Sequence, residues 1–204
     1  MPDPLRVVLA TRNEDKIREI RHILSALPVA FLSLMDFAEV PEIVEDGATF
    51  LENARKKALA VWEHTGLTSL ADDSGLEVEA LGGLPGVMSR RYAGPDATYA
   101  DNNAKLLERL RGILPESRKA RFVCVAALVT AAGKFYFAEG ELRGLIAESP
   151  AGTGGFGYDP LFYLPEHDRT VAEINTDLKN TISHRARAMG AMREIIGALA
   201  ASDS

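Results

Sequence analysis

Leu70-Ala71-Asp72-Asp73-Ser74-Gly75-Leu76-Glu77-Val78-Glu79-Ala80 sets two adjacent carboxylates between apolar residues. Thr68–Ala71 and Leu76–Ala80 read as strands on either side of an Asp-Asp-Ser-Gly turn. Like charges side by side repel, and each must keep its solvation, so a buried strand seldom ends this way without a reason. A divalent cation removes the conflict, since Mg²⁺ takes one or two carboxylates together with substrate phosphates. An acidic turn where a strand leaves the core is the other reading. Successive strand residues point to opposite faces, so Asp72 and Asp73 address one site only if the chain bends there.

Outward from this stretch, the 204 residues suffice for one generous domain or two small ones, and with no repeat, linker or low-complexity tract one is favoured. A hydrophobic content of 47% and a charged content of 25% are those of a soluble globular protein. The net charge of −6 argues against a nucleic-acid polymer as partner but not against a single nucleotide, which feels only its local pocket. The one cysteine, Cys124, lies in the apolar run Phe122–Ala126 and reads as a packed core thiol. No basic stretch leads into a long apolar segment at the start, and Val123–Ala132 is too short to span a bilayer. A cytoplasmic protein without membrane contact is the expectation.

Leu5–Ala10 reads as a buried strand, broken by Thr11-Arg12-Asn13, and a helix follows over 14–26 with an apolar stripe of Ile17, Ile20, Ile23, Leu24 and Leu27. Asn13 can cap that helix, whose free N–H groups make an anion site. Lys16, in its first turn, stands at the wrong end of the dipole. Either it is held there for a ligand or it is a solvated lysine. A second strand is expected over Val29–Leu34. An acidic connection with Glu42, Glu45 and Asp46 follows, then a helix over 49–64 opened by a Thr49/Glu52 capping box. Glu45, just ahead of it, either swings toward a metal or is an ordinary surface acid. The Arg55-Lys56-Lys57 run reads as a solvated face, although Lys57 lies one turn on from Asn53 and can look inward.

Gly82–Gly86 is a loop of strong breakers, and Arg90 and Arg91 after it are phosphate contacts or surface charge. A helix over 98–110 precedes a hairpin of Arg121–Thr130 and Lys134–Leu142. Gly152, Gly154 and Gly157 satisfy G-x-G-x-x-G, yet Asp159-Pro160 and the aromatic strand Leu161–Tyr163 follow instead of a helix, so no dinucleotide fold is indicated. Phe156 and Tyr158 could stack on a base or serve as core aromatics. Ser183 caps a final helix over 183–199, with His184 and Arg185 again as cations in a first turn. No zinc spacing and no nucleophile elbow is present.

Thr11–Lys16 resembles an S/T-x-N-x-x-K opening block, and Glu45–Phe50 with Glu52–Ala54 resembles the second block of the same family. Ala71–Leu76, Gly154–Pro160 and Ser183–Arg185 complete the set in order, so the chain is similar to the Ham1/RdgB-type (inosine triphosphatase-like) pyrophosphatases over roughly 7–193. The resemblance implies a single α/β domain over residues 1–204: an elongated mixed β-sheet flanked by helices, with two lobes around a nucleotide cleft, as in ITPase and Maf-like proteins. It implies a homodimer that hydrolyses ITP, dITP and XTP to monophosphate and pyrophosphate with Mg²⁺. By the same resemblance Glu45 and Asp73 hold the metal, and Asp73 is the catalytic acceptor of the water's proton, with Asp72 assisting. Thr11, Arg12, Asn13, Glu14, Asp15, Lys16, Ser74 and Lys179 contact the nucleotide. Phe156, Gly157, Tyr158 and Asp159 with His184 and Arg185 form the base pocket.

Hydrogen-bond sense agrees. Hypoxanthine and xanthine carry a 6-oxo acceptor that donors from His184 and Arg185 would meet, whereas adenine's amino group would leave donors facing each other. A Maf-like pyrophosphatase of modified or canonical triphosphates and an inactive nucleotide-binding protein are the alternatives.

Overall fold

The computed structural model describes residues 4–37, 40–41 and 43–202, so Glu42 of the acidic connection lies outside the described residues. In chain order the elements are β1 (Leu5–Leu9), α1 (Glu14–Ile23), β2 (Val29–Ser33), α2 (Phe50–Thr65), β3 (Thr68–Val78), α3 (Tyr99–Arg109), β4 (Lys119–Val129), β5 (Phe135–Ile146), β6 (Phe162–Leu164), β7 (Arg169–Thr170), α4 (Thr176–Ile182) and α5 (His184–Ser202). The strands form one seven-stranded sheet in the order β2-β1-β3-β4-β5-β6-β7. The sheet is mixed: β1 is parallel to β2 and β3, and β6 is antiparallel to β5 and β7. This is the expected α/β class. Among the described residues no helix is long and apolar enough to cross a membrane.

Two compact units divide the chain: residues 1–73, 124–140 and 185–204 make the first, and 74–123 with 141–184 the second. In the first, α1 and α5 bury Ile20, Ile23, Leu24, Met189, Met192 and Ile196 against β1, β3 and β4 residues such as Val7, Leu9, Leu70 and Leu128. The stripe on α1 at helical spacing supplies that face, and Asn13 accepts from the N–H groups of Asp15 and Lys16 to cap the helix. In the second, Leu106 of α3 and Leu110 at its C-cap pack with Leu76, Phe122, Leu142 and Phe162. The Phe122 and Phe162 rings are stacked at 4.3 Å.

The Asp-Asp-Ser-Gly segment is no turn, for β3 runs unbroken from Thr68 to Val78. Its two carboxylates do not break the strand because each meets cations on its own face. A second difference is α4, a short helix with Asn175 as N-cap and Ser183 as C-cap, directly ahead of α5. The Thr49/Glu52 box also closes one residue early. Thr49 accepts from the Glu52 N–H as expected, but the Glu52 carboxylate accepts from the N–H of Ala48, at 2.7 Å.

Candidate active site

Strand alternation decides the site. Ser69, Ala71 and Asp73 point to one face of β3, where the Ser69 hydroxyl donates to Ala58 O on α2 at 2.5 Å. Leu70 and Asp72 point to the other, toward α1 and α5. The adjacent carboxylates therefore serve two separate clusters, both in the first unit.

Asp73 meets α2. Asn53 donates to its Oδ2 at 3.2 Å, and Lys57 Nζ lies 3.1 Å from its Oδ1 and 2.7 Å from Glu45 Oε2. Asn53 and Lys57 are one helical turn apart and share a face. Asn53 also holds the loop that carries Glu45, accepting from the Gly47 N–H at 2.7 Å. A Cβ on Gly47 would stand 2.6 Å from that same Asn53 oxygen, so the close approach requires glycine. Burial pushes the Asp73 carboxyl up to about 6, only partly offset by the charges of Lys57 and Lys16, with neighbouring Glu45 adding to the rise. For Glu45, burial works upward, but the Lys57 charge and hydrogen bond outweigh it and hold the carboxyl below its ordinary range. Burial would lower Lys57, yet Asp73, Glu45 and Asp72 together raise it.

Asp72 has no exposure at all and meets two cations through one oxygen: Lys16 Nζ at 3.2 Å and Arg185 Nη2 at 3.0 Å. Arg185 also donates from Nη1 to Glu19 Oε2 at 2.5 Å. This answers the two dipole oddities of the sequence. Each cation in a helix first turn is held by the same buried carboxylate, which outweighs the few tenths to about 1 kcal/mol of an unfavourable dipole. Arg185 is 1% exposed, and although burial opposes its charge, Asp72 and Glu19 raise its pKa above the ordinary value. Arg185 is also the residue expected to offer a donor to the base. Its nitrogens face the buried carboxylates, because a guanidinium without access to water needs anions as partners.

In the second unit, the glycine loop closes around Asp159. Its Oδ2 accepts from the Phe156 N–H at 2.8 Å and from Lys179 Nζ at 2.6 Å, and that ammonium lies 4.7 Å from the Phe156 ring centroid. Gly155 has φ +70°, and a Cβ there would run into the Asp159 carboxylate. The Tyr158 hydroxyl is buried and donates to Ser89 O at 2.9 Å, so of the two aromatics Tyr158 is a core residue and Phe156 the half-buried one. His184 stacks on Phe122 at 4.8 Å and is 7% exposed.

The remaining expected residues are dispersed. Thr11 Oγ1 accepts from the Asn13 N–H, Arg12 donates to Val40 O at 2.8 Å, and Glu14 and Asp15 fill the first turn of α1, where Asp15 pairs with Arg18. Ser74 lies on β3 in the second unit. Arg90 donates to Ala97 O and covers the Tyr99 ring. Asn53, Lys57 and Glu19 had no assigned role in the sequence reading. The signal for the first two was their spacing on one face of α2. Glu19 had none beyond its place among apolar stripe residues. Among the described residues no group of three or more His, Cys, Asp or Glu stands ready for a metal. Two carboxylates converging on one ammonium do suit a hard cation that keeps waters and takes phosphate oxygens.

The sequence profile of the Ham1 family matches residues 7–195. A dITP/XTP pyrophosphatase of Geobacter sulfurreducens is 53% identical over 192 residues, covering 94% of this chain and 96% of the relative. Another dITP/XTP pyrophosphatase, from Thermus thermophilus, is 52% identical over 191 residues, 93% of this chain and 91% of the relative. Among solved structures, a HAM1 protein from Coxiella burnetii superposes with a TM-score of 0.86 at 43% identity, over 94% of this chain and 98% of that one.

Proposed function

The chain belongs to the Ham1 family, and on that premise we propose that it hydrolyses the non-canonical purine triphosphates ITP, dITP and XTP to the monophosphate and pyrophosphate, clearing deaminated purines from the nucleotide pool. The observation that carries the reading is the convergence of Glu45 and Asp73, from separate segments, on a single cation, Lys57 Nζ. A cation already sits where both carboxylates reach, so the donor set fits Mg²⁺, with Glu45 and Asp73 as its holders. The chemistry such an ion supplies is neutralisation of polyphosphate charge and orientation of the attacking water.

The chain's own residues do the rest. Lys16 and the positive end of the α1 dipole take the polyphosphate, with Thr11 to Asp15 shaping the turn that presents them. Asp73 accepts the proton as the water oxygen bonds to the α-phosphorus and the bond to the bridging α–β oxygen breaks, with pyrophosphate leaving in line. A carboxyl pushed up to about 6 is poised for that role near neutral pH. Lys57 holds Glu45 and Asp73 together between turnovers. Asp72 assists indirectly: with Arg185 it fixes the height and aim of Lys16. In the second unit, Phe156 stacks on the purine, Asp159 and Lys179 hold its loop, Ser74 contacts the nucleotide, and His184 is the donor assigned to the 6-oxo group.

The chain is read as one pyrophosphatase domain, in a cytoplasmic homodimer that needs neither a nucleic-acid polymer nor a membrane. A panel of triphosphates scored for pyrophosphate release, with and without Mg²⁺, tests the reading. ITP and XTP turnover far above that of ATP, and only with the metal, is expected. Comparable turnover of ATP and ITP would point instead to a Maf-like pyrophosphatase, and binding without turnover to an idle nucleotide-binding protein.

A further inference from the structure

Two residues one turn apart on α3, Tyr99 and Asn103, lie against the Phe156–Asp159 loop. Asn103 Nδ2 donates to Gly157 O at 3.0 Å, and the Tyr99 ring centroid is 6.1 Å from that of Phe156, tilted by 41°. Gly157 sits at φ +64°, a conformation only glycine adopts freely, and a glycine is also the residue that most readily leaves it. A donor from α3 on its carbonyl sets the Gly157–Tyr158 peptide plane, the second peptide after Phe156. The reversed amide would put two acceptors together, so the carbonyl fixes which way Asn103 points.

The helix face is itself well anchored. Asn102 donates to Arg90 O at 3.1 Å and accepts from the Ala93 N–H at 2.8 Å, and the Arg90 guanidinium covers Tyr99 at 5.5 Å. Asn103 Oδ1, in contrast, is buried with no hydrogen-bond partner among the described residues. A buried acceptor left so is unfavourable to folding, and an apolar side chain of that size would avoid it. Stability therefore does not explain this asparagine, whereas its bond to Gly157 does.

We propose that Asn103, with Tyr99, braces the Phe156–Asp159 loop and is a positioning residue for purine recognition. This rests on assigning that loop to the base. It predicts a change in base affinity and selectivity without a change in the chemistry at phosphorus. Steady-state kinetics with ITP and ATP, together with thermal melts, on Asn103→Ala, Asn103→Gln and Phe156→Ala test it. Asn103→Ala is expected to raise KM for ITP about tenfold, the worth of one hydrogen bond at its upper range. It should leave kcat within about twofold and narrow the ITP-to-ATP ratio of kcat/KM. Asn103→Gln, which keeps an amide donor, should recover part of the KM. A lowered melting temperature with KM and the ratio unchanged would overturn the proposal, as would a loss confined to kcat. If Phe156→Ala raises KM and Asn103→Ala does not, the brace alone fails. If neither changes KM or selectivity, the assignment of the loop to the base fails with it.

Discussion

Lys57 and Asp73 carry most of the proposed chemistry at the residue scale, and their pairing has two measurable consequences. Asp73 is raised from 3.8 to about 6 mainly by burial, so between those values the folded protein holds a proton that the unfolded chain releases. The contribution of this group to stability is thus fully present below pH ~4 and lost as pH rises through about 6. Asp73→Asn removes that penalty. We expect turnover to fall by about 10³ or more while the melting temperature at neutral pH holds or rises, checked by pyrophosphate release and a thermal melt. Retained turnover would place the proton acceptor elsewhere. For the native enzyme, kcat/KM should fall as pH drops below about 6, because the acceptor must be ionised. Lys57→Met would leave Glu45 and Asp73 facing each other without the ammonium between them, a loss of about 3–5 kcal/mol typical of a broken buried pair. If these carboxylates hold Mg²⁺, the ion should raise the melting temperature of Lys57→Met more than that of the native protein. Equal shifts would count against them as ligands.

At the scale of single elements, α1 does two things through its first turn: Asn13 caps it, and Lys16 reaches the buried Asp72. Asn13→Ala should destabilise by about 1 kcal/mol and raise KM for every triphosphate alike, since the phosphates are common to all. Kinetics on ITP and ATP together would reveal a selective effect, which would contradict the assignment. The glycine loop predicts the opposite pattern. Gly155→Ala forces a Cβ against the Asp159 carboxylate at a positive φ, disturbing the acceptor of Phe156 N–H and Lys179. KM for ITP should rise while inhibition by inorganic pyrophosphate stays the same; equal losses for both would show that the loop is not confined to the base.

For the whole molecule, the −6 net charge and the proposed homodimer give expectations of their own. Sedimentation should return a mass near twice the 22.1 kDa of the chain, and a single-chain mass at working concentration would refute the dimer. Much of this organisation was legible from residues alone. Strand and helix positions followed from apolar spacing on β1, α1 and α2, the caps Asn13 and Thr49 from their residue type, and the hairpin of β4 and β5 from the breaker between them. The helix α4 was missed because seven residues give too few turns for a period to emerge.

What the sequence determined by itself was the set of carboxylates, cations and loops, since side-chain chemistry and local spacing are properties of the chain. It also held the warning that Lys16 and Arg185 stood at unfavourable helix ends. Only the tertiary structure decided which charge answers which. Asp72 and Asp73 look alike as neighbours in a chain, but the pleat of β3 turns one to Arg185 and Lys16 and the other to Lys57 and Glu45. Partners brought from more than a hundred residues away, as Arg185 is to Asp72, leave no local pattern, because their meeting is fixed by packing around a core and not by any period along the chain.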